Sequence, residues 1–265
     1  MKLDGCNALI TGASAGIGLE FARQLANRAR SIVLVARRSE RLAQLRNELS
    51  NRNPNLDVYV HAVDLAKTSE LESLVAALAR DKVHVDVLIN NAGLGDNGRF
   101  ATSDPTRDEQ VTLVNVVALT LLTRYLLPQM IGRRRGGILN VSSSASFLPI
   151  PGDAVYAATK AYVTSLSEAL RAELHGTGIS VCALCPGPVQ TEFQEVARRP
   201  GAQAGMSGKF LIVPVERVVR DALAALERDR PLVIPGVGMK FIMFVIRLMP
   251  LPALRVLFKC VPIRG

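Results

Sequence analysis

The chain has no tryptophan, and its phenylalanines and tyrosines bring aromatic content to only 5%. Proteins that grip single-stranded nucleic acid stack bases on aromatic side chains set among cations. No such interleaving occurs here; Arg133-Arg134-Arg135, bounded by glycines, reads as a solvated loop. Four cysteines in 265 residues do not make a disulfide framework. Cys182 and Cys185 form a CxxC, but inside an apolar run that reads as a buried strand, where residues three apart point to opposite faces. His61, His84 and His175 are scattered, so no metal site is expected. No stretch of about 20 uninterrupted apolar residues exists, and no transmembrane helix is expected. Met1–Cys6 leads straight into the first apolar run, so no signal peptide is expected either. A reduced, cytoplasmic protein follows as the expectation.

What is present is apolar and regularly spaced. Hydrophobic residues make up 49% of a 28.6 kDa chain, enough for one large α/β core. β-branched runs at Ala8–Ile10, Ser31–Ala36, Asp57–Ala62, Val85–Asn90, Gly137–Ser143, Ile179–Leu184 and Leu232–Ile234 predict strands. Helical periodicity fills the intervals at Gly16–Arg28, Glu40–Ser50, Ser69–Asp81, Thr106–Ile131, Ala154–His175 and Val215–Glu227. Alternation of this kind, with nearly continuous apolar strands, predicts a Rossmann-type doubly wound parallel sheet with helices on both faces. With no repeat or linker in the chain, residues 1–235 read as a single nucleotide-binding catalytic domain. Residues 236–265 read as an amphipathic C-terminal extension of it.

Two local patterns carry chemistry. Thr11-Gly12-Ala13-Ser14-Ala15-Gly16-Ile17-Gly18 lies between a strand and a helix, the context of a phosphate-binding loop at a helix N-terminus. Gly12 permits the turn, Gly16 lets backbone approach a pyrophosphate, and Gly18 lets the helix pack closely. Further on, Tyr156 and Lys160 stand four apart on a predicted helix and share a face, with Ser143 thirteen residues upstream. A free phenol titrates near about 10, and a neighbouring cation lowers that value toward the range useful for acid–base work. Phenol, ammonium and hydroxyl around one carbonyl would make a proton-transfer site.

Taken together, these patterns resemble the short-chain dehydrogenase/reductase family, over about Asp4 to Pro235 and in the family's order. Asp64-Leu65 resembles its adenine-contacting pair, and Asn90-Asn91-Ala92-Gly93 its NNAG motif. Asn115, Ser143, Tyr156 and Lys160 resemble its catalytic tetrad, and Pro186-Gly187 the turn beside the nicotinamide. The resemblance implies a cofactor site drawn from Gly12, Ser14, Ala15, Gly16, Ile17, Gly18, Asp64, Leu65, Asn91, Ala92, Gly93, Tyr156, Lys160, Pro186, Gly187, Val189 and Thr191. It implies that Tyr156 exchanges a proton with the substrate oxygen while Ser143 fixes that oxygen. Lys160 would lower the tyrosine pKa and hold the nicotinamide ribose, and Asn115 would hold a water linking Lys160 to solvent. Ser142 flanks Ser143 but should project to the opposite face of the strand. The family usually has serine where this chain has Thr159, a change that keeps the hydroxyl.

Charge decides the cofactor. In dinucleotide folds an acid about 20 positions beyond the glycine loop bonds the ribose diol and selects NAD. Here the position nineteen after Gly18 is Arg37, followed by Arg38, with no acid before Glu40. Guanidinium groups suit a 2′-phosphate, so NADP(H) is expected. The expected reaction interconverts a hydrophobic ketone or aldehyde and its alcohol. Phe147, Leu148 and Ile150 are expected to form an apolar wall, with Thr191 to about Val213, including Arg198, Arg199, Gly201, Gly205 and Gly208, as a mobile cover. The alternatives are a non-catalytic NADPH-binding sensor, which would be expected to lose tetrad residues, and an epimerase or dehydratase with a similar tyrosine–lysine pair. A homodimer or homotetramer is implied by the resemblance.

The tail departs from the family. After Asp229 come Arg230, Lys240, Arg247, Arg255, Lys259 and Arg264 with no acid, most of the chain's net +9. They are interleaved with apolar residues such as Phe241, Phe244 and Leu248. Packing against the pocket or a neighbouring subunit is the favoured expectation; a membrane-surface anchor and a cover for a long apolar substrate are the alternatives.

Overall fold

Apolar runs and helical periods alternate in the chain, and the fold follows them element by element. The strands are β1 (Asn7–Thr11), β2 (Ser31–Ala36), β3 (Asp57–Ala62), β4 (Val87–Asn90), β5 (Gly136–Val141), β6 (Ile179–Leu184) and β7 (Leu232–Val233). The helices between and after them are α1 (Gly16–Leu25), α2 (Ser39–Arg52), α3 (Thr68–Arg80), α4 (Pro105–Thr112), α5 (Leu119–Arg133), α6 (Ala154–Glu173), α7 (Phe193–Ala197), α8 (Val215–Glu227), α9 (Val237–Leu248) and α10 (Leu251–Lys259). This computed structural model describes residues 1–197 and 211–259, with residues 251 and 257–259 described by their backbone alone. Arg198, Arg199, Gly201, Gly205, Gly208 and Arg264, and the side chain of Lys259, lie outside the described residues.

All seven strands pair in parallel, in the order β3-β2-β1-β4-β5-β6-β7. Every residue of β2, β4, β5 and β6 is buried, as a sheet covered on both faces requires, whereas the edge strand β3 is only partly covered. Because side chains alternate along a strand, neighbouring residues feed different cores. Ile10, Ile32 and Leu34 pack with Phe21, Leu42 and Leu226 from α1, α2 and α8. Leu9, Val33 and Val35 pack with Leu71, Val111 and Leu122 from α3, α4 and α5. A third, smaller cluster joins Ala183, Cys185 and Ile234 to Met239 and Met243 of α9.

One predicted helix differs in kind. The run expected at Thr106–Ile131 begins with Pro105, its first turn capped by the Asp104 side chain, which accepts from the Thr106 N–H. Between α4 and α5 it loosens into a π-helical stretch, Leu113–Ala118, with Asn115 inside it. By length and composition Pro105–Arg133 could cross a bilayer. Val111, Val114, Leu122 and Leu126 of this run are buried in the second core. Cys182 and Cys185 fall in different clusters as expected, and burial pushes the Cys182 thiol up to about 12, which leaves it unreactive.

Candidate active site

The turn after β1 is fastened to the end of β4. The Thr11 hydroxyl accepts hydrogen bonds from the Asn91 and Ala92 N–H groups, both at 3.0 Å. In return the Asn91 amide donates to the Thr11 carbonyl at 2.8 Å and to the Gly12 carbonyl at 3.3 Å. Gly12 has φ +66°, and a Cβ there would strike the Asn91 side chain and the Ala92 backbone. At Gly18 the missing Cβ makes room for the Gly12 carbonyl and Asn91, so this glycine closes the loop onto the strand ends as well as seating the helix. Ala15, the N-cap of α1, offers no side-chain cap and no acid follows in the first turn, which leaves the helix N-terminus free to take an anion.

The preceding Asn90 has a different task. It points into the interior, where its amide donates to the Asn140 carbonyl oxygen at 2.8 Å and to Thr123, and Asn140 donates on to Ser167 at 2.9 Å. This buried network locks β4, β5, α5 and α6 together beneath the site.

On α6, Lys160 is buried and its ammonium donates to the Val141 carbonyl at 2.8 Å. It lies 5.7 Å from the centre of the Tyr156 ring. Burial pushes Lys160 down to about 8 and Tyr156 up to about 12, and a hydrogen bond with Ser143 draws the phenol part of the way back. Asp153 adds to the rise, and the lowering of the Tyr156 pKa expected of Lys160 is not among the effects that set it. The phenol is a stable proton donor at neutral pH. Ser143 heads a short 3-10 turn, Ser144–Phe147, and its hydroxyl also accepts from the Ala145 N–H. Ser142 lines the same cleft as Ser143, but its hydroxyl is engaged elsewhere, donating to the Lys160 carbonyl at 2.8 Å and pairing with Thr164.

Asn115 is held by three side-chain hydrogen bonds. Its side chain accepts from the Leu94 N–H at 2.8 Å and donates to the Leu94 carbonyl at 2.9 Å and to the Thr159 hydroxyl at 3.0 Å. Thr159 in turn donates to the Tyr156 carbonyl at 2.8 Å. A Cβ on Gly93 would lie 3.3 Å from the Lys160 ammonium and 3.4 Å from the Asn115 oxygen, so both groups border that glycine.

These pieces surround one cleft of about 960 Å³. Its lining includes Gly12, Ser14, Ala15, Gly16, Ile17, Arg37, Arg38, Asp64, Leu65, Asn91, Ala92 and Gly93. Ser143, Tyr156, Lys160, Pro186, Gly187, Val189 and Thr191 line it as well. Gly18 and Asn115 do not line it, but Gly18 packs on Gly12 and Asn91, and Asn115 bonds Leu94, all of which do. Ile150 lines the cleft, but Phe147 and Leu148 do not: they pack into the third cluster beneath α9, because the 3-10 turn directs them away.

Several lining residues gave no signal in the sequence. Phe193 packs against the Tyr156 ring, with centroids 5.6 Å apart and the planes tilted by 46°. Asp153 accepts from the Asn97 amide at 2.5 Å, and burial, with Asp96 nearby, pushes its carboxyl up to about 6. Glu192 is held by Arg41 at 2.7 Å and Arg38 at 3.1 Å, while Arg38 also donates to the Ser14 hydroxyl. Both guanidinium groups hold the Glu192 carboxyl below the usual carboxylate range. No cluster of three or more metal-ligating side chains occurs among the described residues.

Sequence and structure comparisons agree on the relatives. A profile described as short chain dehydrogenase matches residues 6–201. The chain is 35% identical over 190 residues to the NADP-dependent 3-hydroxy acid dehydrogenase YdfG of Escherichia coli, covering 71% of this chain and 75% of that protein. It is 40% identical over 203 residues to the sulfoacetaldehyde reductase of Chromohalobacter salexigens, covering 76% and 79%. Among solved structures, a short-chain dehydrogenase from Sphingobium yanoikuyae in complex with NADPH superposes with a TM-score of 0.82 at 30% identity, covering 97% of this chain and 96% of that one.

Proposed function

The chain belongs to the short-chain dehydrogenase/reductase family, and on that premise we propose that it is an NADP(H)-dependent oxidoreductase interconverting a hydrophobic ketone or aldehyde and its alcohol. The observation that carries this reading is the convergence, in one cleft, of a paired arginine end, an uncapped helix N-terminus and the Ser143–Tyr156–Lys160 group.

The residues present fit the cofactor. The first turn of α1 would take the pyrophosphate, Arg37 and Arg38 the 2′-phosphate, and Lys160, beside Gly93 and Pro186-Gly187, the nicotinamide end. When bound, the cofactor supplies or accepts the hydride. For reduction Tyr156, protonated at neutral pH, gives its proton to the substrate oxygen, and Ser143 fixes that oxygen within reach. The Lys160 ammonium then stabilises the phenolate left behind. Asn115 acts through position, holding Leu94 and, through Thr159, the turn of α6 that carries Tyr156. Ile150, Pro151, Phe193 and Val196 give the substrate end an apolar character suited to a hydrophobic carbonyl compound rather than a free sugar. We also place subunit contacts of a homo-oligomer on the outer side of α5 and α6, where Tyr125 and Tyr162 are exposed.

The test is NADPH oxidation against a panel of ketones and aldehydes. Turnover of an apolar carbonyl compound is expected, with Tyr156→Phe lowering it by at least about a thousandfold while NADPH binding is retained. Equal turnover by the Tyr156→Phe protein would remove tyrosine from the mechanism. Tight NADPH binding without turnover across the panel would favour a sensor.

A further inference from the structure

α9 is apolar on two opposite faces, and the fold uses only one of them. Met239 and Met243 are buried against Ala183, Cys185 and Ile234, which accounts for the helix lying beside β6 and β7. On the other side Val237, Phe241, Phe244 and Leu248 are 75%, 68%, 62% and 70% exposed. Their spacing puts them on one ridge, along a helix about 18 Å long. Lys240 and Arg247 run down one flank of that ridge, and Val256 and Arg255 of α10 are exposed beyond it. Single exposed apolar residues are ordinary; four large ones in line mark a contact surface. The packing expected for the tail accounts for the methionine face and leaves this one.

Charge identifies the occupant. Beyond Asp229 the chain has six cations and no acid. A second copy meeting this ridge about a two-fold axis would set Lys240, Arg247 and Arg255 against their own counterparts, a like-charge contact with no acid in the tail to relieve it. An anionic bilayer offers the reverse: acyl chains for the ridge and phosphates at the depth where flanking lysine and arginine heads lie.

We propose that α9 docks the protein on an anionic membrane surface, with Phe241, Phe244 and Leu248 inserted and Lys240 and Arg255 at the lipid phosphates. The helix that carries this ridge adjoins the cleft through its opposite face. Met239 packs behind Gly187, and the Arg247 guanidinium lies 5.4 Å over the Phe147 ring at the end of the turn that Ser143 heads.

Co-sedimentation of the full-length protein with phosphatidylcholine vesicles, with and without phosphatidylglycerol, tests this. Pelleting with the anionic vesicles is expected, several-fold weaker with the neutral ones and reduced by high salt. Phe241→Ser/Phe244→Ser and Lys240→Glu/Arg255→Glu should each weaken it by about tenfold or more, with melting temperature and NADPH binding in solution unchanged. Wild-type protein left in the supernatant, or pelleting indifferent to the ridge substitutions, overturns the proposal. So does a wild-type dimer in sedimentation velocity that Phe241→Ser/Phe244→Ser dissociates without vesicle binding, which would assign the ridge to a second copy.

Discussion

Burial holds Lys160 at a pKa of about 8, below the 10.5 of a free lysine, so folding favours its neutral form. Between those values the unfolded chain binds the proton that the native one releases, and stability should rise with pH. Tyr156, pushed up to about 12, opposes this above pH 10, where only the unfolded chain gives up the phenolic proton. Urea denaturation should therefore show stability increasing from about pH 8 to 10, and Lys160→Met should flatten that rise. At pH 7 the shift corresponds to about 3 kcal/mol, partly offset by the hydrogen bond to Val141. Lys160→Met should thus be more stable by about 1–2 kcal/mol and inactive. YxxxK spacing showed which two side chains meet; it could not show that the enclosing walls, more than each other, set their titration.

The π stretch at Leu113–Ala118 is the element that departs most from the sequence. Nothing in the apolar period marks a change from i→i−4 to i→i−5 bonding, because the same residues serve both. It carries Asn115, whose side chain bonds both backbone groups of Leu94. Asn115→Ala would leave the buried Leu94 N–H and carbonyl unpaired and should cost about 2–4 kcal/mol of stability, measurable by thermal and urea unfolding, with loss of turnover. By contrast α8 falls where its period places it, and every strand of the sheet lies on an apolar run, with ends shifted by a residue or two. Those were legible because a parallel strand must be apolar on both faces. Glu192 and Phe193 were not, since nothing local in sequence brings them to Arg38, Arg41 or Tyr156.

At the scale of the molecule, the strand order puts the ends of β1, β4 and β5 side by side, which is why motifs distant in sequence share one cleft. The whole chain carries a net charge of +9. NADPH association, followed by stopped-flow fluorescence, should slow several-fold as salt rises from low to physiological strength.

Arg38 and Arg41 already have an anion. Glu192 is covalently tethered to them, so it competes at an effective concentration that no dilution lowers. A dinucleotide carrying a 2′-phosphate can take its place; one with only a ribose diol has nothing to exchange for it. Glu192→Gln should therefore tighten NADPH by about two- to fivefold, the worth of an exposed ion pair, and leave NADH nearly unchanged in fluorescence titration. Selectivity in this protein is then partly a displacement reaction, in which the resident carboxylate sets the threshold that an incoming cofactor must exceed.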